Sequence, residues 1–391
     1  MHKKILIVNN NMHIGGVQRA LADLLNEIHS DYEITLLLFN KGGELLDCIP
    51  DDVNVISAGP VFRPLGIVKD DRRVLLALTG KALLRIVFRL IGRKRTMKLM
   101  CSMARRADGF DCAISFLHSG REDVFYGGCC EYVLNCTDAK RKYAFLHCDF
   151  KSIGAASAYN LELYSSFDVV AACSNGCRDA FLSAEPEFRG AIRVVYNCHD
   201  FKRITKLAGA VPAPARVRPL EIVTVARLGR EKGVLRAVEA ISMLGKRSNE
   251  VHLRIIGSGI QHANAEELIH EKGMEGSIEL MGETSNPYPF MKAADVLLIP
   301  SYSEAAPMVI DEAACLCTPV LSTGTCSAEE LVSERGFGWV CGNSVEGITE
   351  ALNRLLDSPQ EIAERSSFLQ TVVFDNSKAL EGFRGLIGDE E

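Results

Sequence analysis

Short runs of β-branched and leucine residues recur along the chain, with amphipathic stretches between them. In the first half the runs are Lys4–Val8, Glu33–Phe39, Asp111–Phe116, Tyr143–His147, Asp168–Ser174 and Ile192–Tyr196. After a segment rich in Ala, Pro and Arg they resume at Glu221–Ala226, His252–Ile256, Ile278–Met281, Asp295–Pro300 and Pro319–Ser322. Short apolar runs alternating with helical periodicity predict parallel strands covered by helices on both faces. Two such series predict an α/β chain of two Rossmann-like domains facing each other across a cleft. The boundaries read from the pattern are a first domain over 1–201, a linker over 202–219, a second domain over 220–370 and a C-terminal helix over 371–391 that packs back on the first. In open sheets of this kind ligands lie beyond the carboxyl ends of the strands, which singles out the residues directly after each run.

Composition narrows the class. A chain of 391 residues exceeds what one core organises, and 47% hydrophobic with 24% charged residues excludes a disordered protein. The apolar opening Ile5–Val8 stops at Asn9-Asn10-Asn11 with no small-residue cleavage site after it, so it reads as a strand rather than a signal peptide. No uncharged apolar stretch is long enough to span a bilayer. Fourteen cysteines without an export signal imply a reducing, cytoplasmic setting. Cys129-Cys130, Cys173 with Cys177, and Cys315 with Cys317 lack the CxxC spacing of a zinc ribbon, so neither a disulfide nor a bound metal is expected.

Charge is uneven. Residues 61–107 hold thirteen Lys/Arg against Asp70 and Asp71, a local balance of +11 in a chain of net charge −6. From Val74 to Ile91 the apolar sequence is interrupted by Lys81, Arg85 and Arg89, with Arg93 next, so that on a helix the cations form one stripe against Leu76, Leu83, Leu84, Val87, Phe88 and Ile91. Such a helix suits the surface of an anionic membrane; a helix whose apolar face packs on its own sheet fits equally. Nucleic acid is excluded as a partner, because Phe88 is the one aromatic residue interleaved with those cations.

Several residues could carry chemistry. The first strand leads into Gly15-Gly16 ahead of a helical stripe, a place where backbone approaches a ligand and a helix N-terminus favours an anion. The pattern is not GxGxxG, which argues against a dehydrogenase. His147, with Asp149 nearby, ends another strand. Arg227 follows the strand Ile222–Ala226, and Lys232-Gly233 opens the next helix, two cations spaced to hold a diphosphate. A second close-approach loop is Gly257-Ser258-Gly259. Most informative is the stretch from Asp295 to Ala314, where a buried strand runs into Ser301, Glu304, Ala305, Ala306, Pro307 and Met308. Pro307 is expected in the first turn of the following helix and Glu312 in its second. Carboxylates there would accept hydrogen bonds from sugar diols while nearby N–H groups take the anion.

Taken in order, these segments resemble the retaining glycosyltransferase family four, over nearly the whole chain. The resemblance rests on Gly15-Gly16, the strand end before His147 and Asp149, Asn197 to Asp200, Arg227 to Gly233, Gly257 to Gly259, and Glu304 to Glu312 as the family's E-x7-E. It implies the GT-B fold, with the donor in the second domain. It further implies that Arg227 and Lys232 hold the donor pyrophosphate, Glu312 the ribose hydroxyls and Glu304 the transferred sugar. Gly16, beside Gly15, would contact a phosphate through its backbone, and His147 would meet the reacting face of the sugar. Gly257 and Ala305 to Met308 would complete the donor loop. Ala305-Ala306 stands where the family has Gly and a large apolar residue, and Cys317 where it has Gly.

The expected function is retaining transfer of a hexosyl unit from a UDP- or GDP-sugar to a glycan or lipid-linked glycan in surface polysaccharide synthesis. Neither metal nor cofactor is expected, and the location is cytoplasmic or peripheral at the inner membrane face. Two alternatives share the architecture: a nucleotide-sugar epimerase, and a catalytically impaired sugar-nucleotide-binding protein at the membrane.

Overall fold

The computed structural model describes residues 2–67 and 75–388. It divides into two compact units, Met1–Cys198 with Asn376–Glu391, and His199–Asp375.

The first unit contains seven strands: β1 (Lys4–Asn9), β2 (Glu33–Leu38), β3 (Asn54–Ser57), β4 (Cys112–Ser115), β5 (Arg141–Leu146), β6 (Val169–Ala172) and β7 (Ala191–Val194). All are parallel, in the order β3-β2-β1-β4-β5-β6-β7. Ile5 to Val8 of β1 are wholly buried, as a central strand covered on both faces requires. The second unit has β8 (Leu220–Val225), β9 (Val251–Ile256), β10 (Ile278–Gly282), β11 (Val296–Ile299), β12 (Val320–Thr323) and β13 (Gly338–Cys341), again all parallel, in the order β10-β9-β8-β11-β12-β13. Its core gathers Ile222, Val234, Ala237, Ile241, Leu253, Ile255, Val296, Leu298 and Leu321 between sheet and helices. Strand order reverses between β1 and β4 in one sheet and between β8 and β11 in the other; in open α/β sheets the carboxyl ends at such a reversal are where ligands bind.

Each strand expected from the apolar runs is present. β3 and β13 carry no such run, and both lie at a sheet edge, where one side is free and continuous burial is not required. The segment expected as a linker, 202–219, starts inside a helix, Phe201–Ala208, whose N-cap Asp200 accepts a hydrogen bond from the Arg203 backbone N–H at 2.9 Å. The Leu207 carbonyl of that helix receives the Asn286 amide at 3.0 Å, and the helix clusters with the second unit. The helix Ser377–Ile387 belongs to the first unit: Lys3 Nζ donates to the Ile387 carbonyl at 2.8 Å, Arg384 meets Asp31 at 3.2 Å, and fully buried Phe383 lies edge-on to Tyr32.

Within the basic segment a short helix, Arg63–Gly66, comes before a long one, Leu75–Met103, which is broken at Gly92 (φ 77°). Residues 68–74 of the segment, Val74 among them, lie outside the described residues, as does the Leu76 side chain. The expected single cationic stripe is not formed. Arg93 is fully buried, donating from Nε and Nη2 to Glu131 Oε1 at 3.0 and 2.8 Å and from Nη1 to the carbonyls of Val124 and Tyr126. Lys81 is half-buried and donates to the Ile67 carbonyl at 2.6 Å. Phe88 is buried, whereas Leu83, Ile86 and Leu90 are 62%, 53% and 78% exposed. At one hundred degrees per residue these three share one face, flanked by exposed Arg85 and Arg89. The helix therefore has apolar residues on two faces, and the protein covers one of them.

Candidate functional site

In the second unit the reversal between β8 and β11 brings the chain after β8 against the chain after β11. Gly233 makes this approach possible. It has φ 65°, and a Cβ there would come 2.1 Å from the Pro300 carbonyl oxygen, so only glycine lets the two segments touch. Next to it, Lys232 Nζ lies 2.7 and 2.9 Å from the two carboxylate oxygens of Glu304. Ser301 Oγ donates to Glu304 Oε1 at 2.7 Å. The carboxylate is only 10% exposed, so it is held in one orientation by a cation and a hydroxyl in a setting poorer in water than the surface.

Arg227 is placed differently. Its side chain is 76% exposed and its guanidinium is bonded to Glu231 at 2.5 Å, so the two cations expected as one clamp each rest on a separate carboxylate. The loop carrying Glu304 is braced from behind. Buried Arg236 stacks 4.2 Å from the Tyr302 ring centroid and donates to Asn343, whose amide donates to the carbonyls of Tyr302 and Gly324.

The helix after this loop is Val309–Cys315, so Pro307 precedes it by two residues and Glu312 falls in its first turn rather than its second. Ala305 and Met308 are buried. Glu312 is also buried, with the Tyr288 hydroxyl at 3.5 Å from Oε1 and Arg203 3.3 Å from that hydroxyl. Asp311, its neighbour, takes both Nη groups of Arg335 at 3.1 and 2.6 Å and has His199 at 3.7 Å. Burial pushes the Asp311 carboxyl up, but His199 and Arg335 more than offset this and hold it below the usual carboxylate range.

Gly257 has φ 139°, and a Cβ would meet the Ala226 carbonyl oxygen at 1.9 Å. It is glycine because the segments after β8 and β9 pack directly on each other, the Leu228 N–H reaching the Ser258 carbonyl at 2.7 Å.

In the first unit, Gly15 is extended (φ 179°) ahead of the helix Gly16–Ile28, whose amino end has no side-chain cap. His147 follows β5, with the Phe116 and Phe145 ring centroids 4.7 and 5.7 Å from its own. Burial, with a smaller push from His118, lowers its pKa to about 3, so it is a neutral imidazole at physiological pH. Asp149 is not its partner: both carboxylate oxygens accept from Ser152, at 3.0 and 2.6 Å.

The structure thus joins Lys232 to Glu304 and sets Glu312 beside Tyr288 in the second unit, with Gly15, Gly16 and His147 in the first. Tyr288 and Arg236 escaped the sequence reading, which named Ser301 but gave it no role. Ser301 alone left a signal, a hydroxyl at the end of a buried strand three residues before Glu304.

Residues 212–368 match the family model described as glycosyl transferases group 1. That match takes up most of the second unit. The matched segment contains Arg227, Lys232, Glu304 and Glu312. Among curated relatives, a putative colanic acid biosynthesis glycosyltransferase, WcaL, from Escherichia coli K12 is 34% identical over 139 residues, covering 33% of this chain and 34% of that protein. An uncharacterized glycosyltransferase from Haemophilus influenzae is 24% identical over 178 residues, covering 44% of this chain and 50% of that one. The chain thus spans half or less of the length of these relatives. A Campylobacter jejuni N-acetylgalactosaminyltransferase, named for a diphospho-undecaprenol-linked acceptor, is 24% identical over 346 residues, covering 86% of this chain and 85% of that one. Among solved structures, Anabaena Alr3699/HepE in complex with UDP and glucose superposes with a TM-score of 0.67 at 18% identity, over the full length of both chains. The two parallel-sheet units have the GT-B architecture.

Proposed function

We propose that the chain is a retaining hexosyltransferase that moves a sugar from a UDP- or GDP-linked donor to a glycan or lipid-linked glycan in surface polysaccharide synthesis, with no resident metal or cofactor. The observation that carries this reading is the Lys232–Glu304–Ser301 cluster at the strand reversal of the second sheet, within the family segment. A diphosphate leaving group gains negative charge as the glycosidic bond breaks, and a fixed ammonium stabilises it there. A carboxylate beside that ammonium accepts hydrogen bonds from sugar hydroxyls and orients the ring. Arg227, exposed and on a flexible stem, turns from Glu231 to the phosphates when donor arrives. Glu312 holds ribose hydroxyls, and Gly257 with Ala305, Ala306, Pro307 and Met308 forms the donor loop. In the first unit, Gly15 and Gly16 offer backbone to a phosphate, and neutral His147 meets the sugar. Retention follows from attack on the face the diphosphate leaves, the diphosphate helping to take the acceptor proton.

The same reading puts the protein at the cytoplasmic face of an anionic membrane. Among the described residues no helix is long and apolar enough to cross a membrane. The helix Leu75–Met103 contains seven Lys/Arg and no acidic residue, and it carries six of the fifteen exposed large apolar side chains among the described residues. An apolar face flanked by arginines complements a lipid surface bearing negative headgroups.

The test is a panel of UDP-, GDP- and ADP-sugars read by thermal shift, followed by transfer to a polyprenyl-diphosphate-linked sugar read by mass spectrometry, with the product's anomeric configuration read by NMR. One donor should raise Tm and give a product of unchanged configuration. Stabilisation by none of the donors, or an inverted product, contradicts the proposal.

A further inference from the structure

Pro300 to Glu304 lie between β11 and the helix Val309–Cys315, outside any helix or strand, yet they carry the carboxylate that meets Lys232. Their place is set by the segments at the carboxyl ends of three other strands. The Tyr302 N–H donates to the Glu231 carbonyl, after β8, at 2.9 Å. The Thr323 hydroxyl, at the end of β12, donates to the Ser301 carbonyl, and the Cys326 thiol to the Glu304 carbonyl at 3.0 Å. After β13, the Asn343 amide donates to the Tyr302 carbonyl at 3.1 Å.

That last contact depends on Arg236. A side-chain amide has one oxygen and one NH2, and Arg236 Nη1 donates to the oxygen of Asn343 at 2.8 Å. The NH2 is thereby turned toward the carbonyls of Tyr302 and Gly324. The same guanidinium lies 4.2 Å from the Tyr302 ring centroid. Arg236 therefore holds Tyr302 twice, by its ring directly and by its main chain through Asn343. It also stands one helical turn beyond Lys232, its N–H donating to the Gly233 carbonyl at 2.9 Å. One short stretch of chain supplies both the ammonium that meets Glu304 and the guanidinium that holds the loop carrying it.

Stability does not account for this arginine. It is 3% exposed, it forms no ion pair among the described residues, and its Nη2 has no hydrogen-bond partner. A cation buried in that state costs free energy that an apolar side chain of similar length would not.

We propose that Arg236 is a positioning residue for the transfer reaction, fixing through Tyr302 and Asn343 the segment that carries Glu304, so that the carboxylate keeps one geometry against Lys232 and the sugar. This rests on the glycosyltransferase reading above and adds to it a residue that touches neither donor nor acceptor. Its effect falls on kcat, because a group displaced by about 1 Å still admits substrate but loses on the order of 100-fold in rate.

The test measures kcat, donor KM and Tm in variants of the full-length chain. Arg236→Met, with an uncharged stem, should lower kcat about 10- to 100-fold, leave donor KM within about threefold, and leave Tm unchanged or raised. Tyr302→Leu and Asn343→Ala, at exposed positions, should each lower kcat about tenfold, whereas Tyr302→Phe, which keeps the ring beside the guanidinium, should recover it. Arg236→Met combined with Asn343→Ala should be no slower than Arg236→Met alone, since both cut one path. Unchanged kcat in Arg236→Met, a loss confined to donor KM, or losses that multiply in the double variant overturns the proposal, as does a Tyr302→Phe no faster than Tyr302→Leu. Should the methionine variant not fold, the Tyr302 and Asn343 variants decide. A wild-type chain that transfers while the variants keep its rate overturns this proposal alone; one that transfers from no donor overturns the underlying reading and this proposal with it.

Discussion

The Lys232 ammonium lies within 2.9 Å of both carboxylate oxygens of Glu304, and the residue that makes the meeting possible is the next in the chain, Gly233. The pair has two consequences for a variant, one for activity and one for folding. Lys232→Ala should lower kcat/KM about 30- to 1000-fold, or ~2–4 kcal/mol, and should also lower Tm because it strands a nearly buried carboxylate. Arg227→Ala, at an exposed position, should lower kcat/KM with Tm unchanged. In a double-mutant cycle, Lys232→Ala with Glu304→Ala should cost less stability than the two single changes added together. Additive Tm losses contradict the coupling.

Glu304 and Glu312 share a motif but not an environment. Glu304 faces a cation and Glu312 a tyrosine hydroxyl, so Glu304→Gln should lower kcat by misplacing the sugar, whereas Glu312→Gln should chiefly raise donor KM. Steady-state kinetics with the donor varied separates them; equal effects confined to KM would refute the division.

The buried histidines make the fold acid-sensitive in a defined window. His118 and His147 have folded-state pKa values of about 4 and about 3, against 6.5 when unfolded. Above pH 6.5 neither state binds the extra proton; below it the unfolded chain binds it first, so stability falls as pH drops from 6.5 toward 4. Each histidine should account for about 1–2 kcal/mol of the loss between pH 7 and 5. Tm measured across that range should decline less steeply in His147→Asn than in the wild type. Parallel curves would show that His147 titrates normally.

Membrane association can be tested at the face that is bare in the structure. Co-sedimentation with vesicles containing phosphatidylglycerol should weaken with salt, and should fall at least about tenfold when Leu83, Ile86 and Leu90 become Ser or when Arg85 and Arg89 become Gln. Arg93→Gln should instead lower Tm, since it leaves Glu131 buried without its cation. Wild-type protein that stays in the supernatant at low salt ends the membrane reading.

The alternation of apolar runs was enough to read two doubly wound sheets, because buried parallel strands demand continuous Val, Ile and Leu. β3 and β13 were hidden for the complementary reason, each having a free edge. The pairing of Lys232 with Glu304 could not be read across a separation of 72 positions; it depends on the strand reversal and on the contact made at Gly233. Spacing by four along 81–93 suggested one cationic stripe, but the break at Gly92 turns Arg93 inward to Glu131. No local periodicity reports a partner 38 residues away.

The helix Ser377–Ile387 completes a unit that begins with Lys3 and Lys4, and this governs the order in which the protein assembles as it leaves the ribosome. The second unit emerges whole before that helix does, so it can close its core while the first unit still has bare backbone and an uncovered Tyr32. The contact from Lys3 to Ile387 spans 384 residues of sequence, so the loop it closes cannot form until the chain has been made that far. The half synthesised first is therefore the half finished last, and during that interval it is the part of the nascent chain most in need of a chaperone.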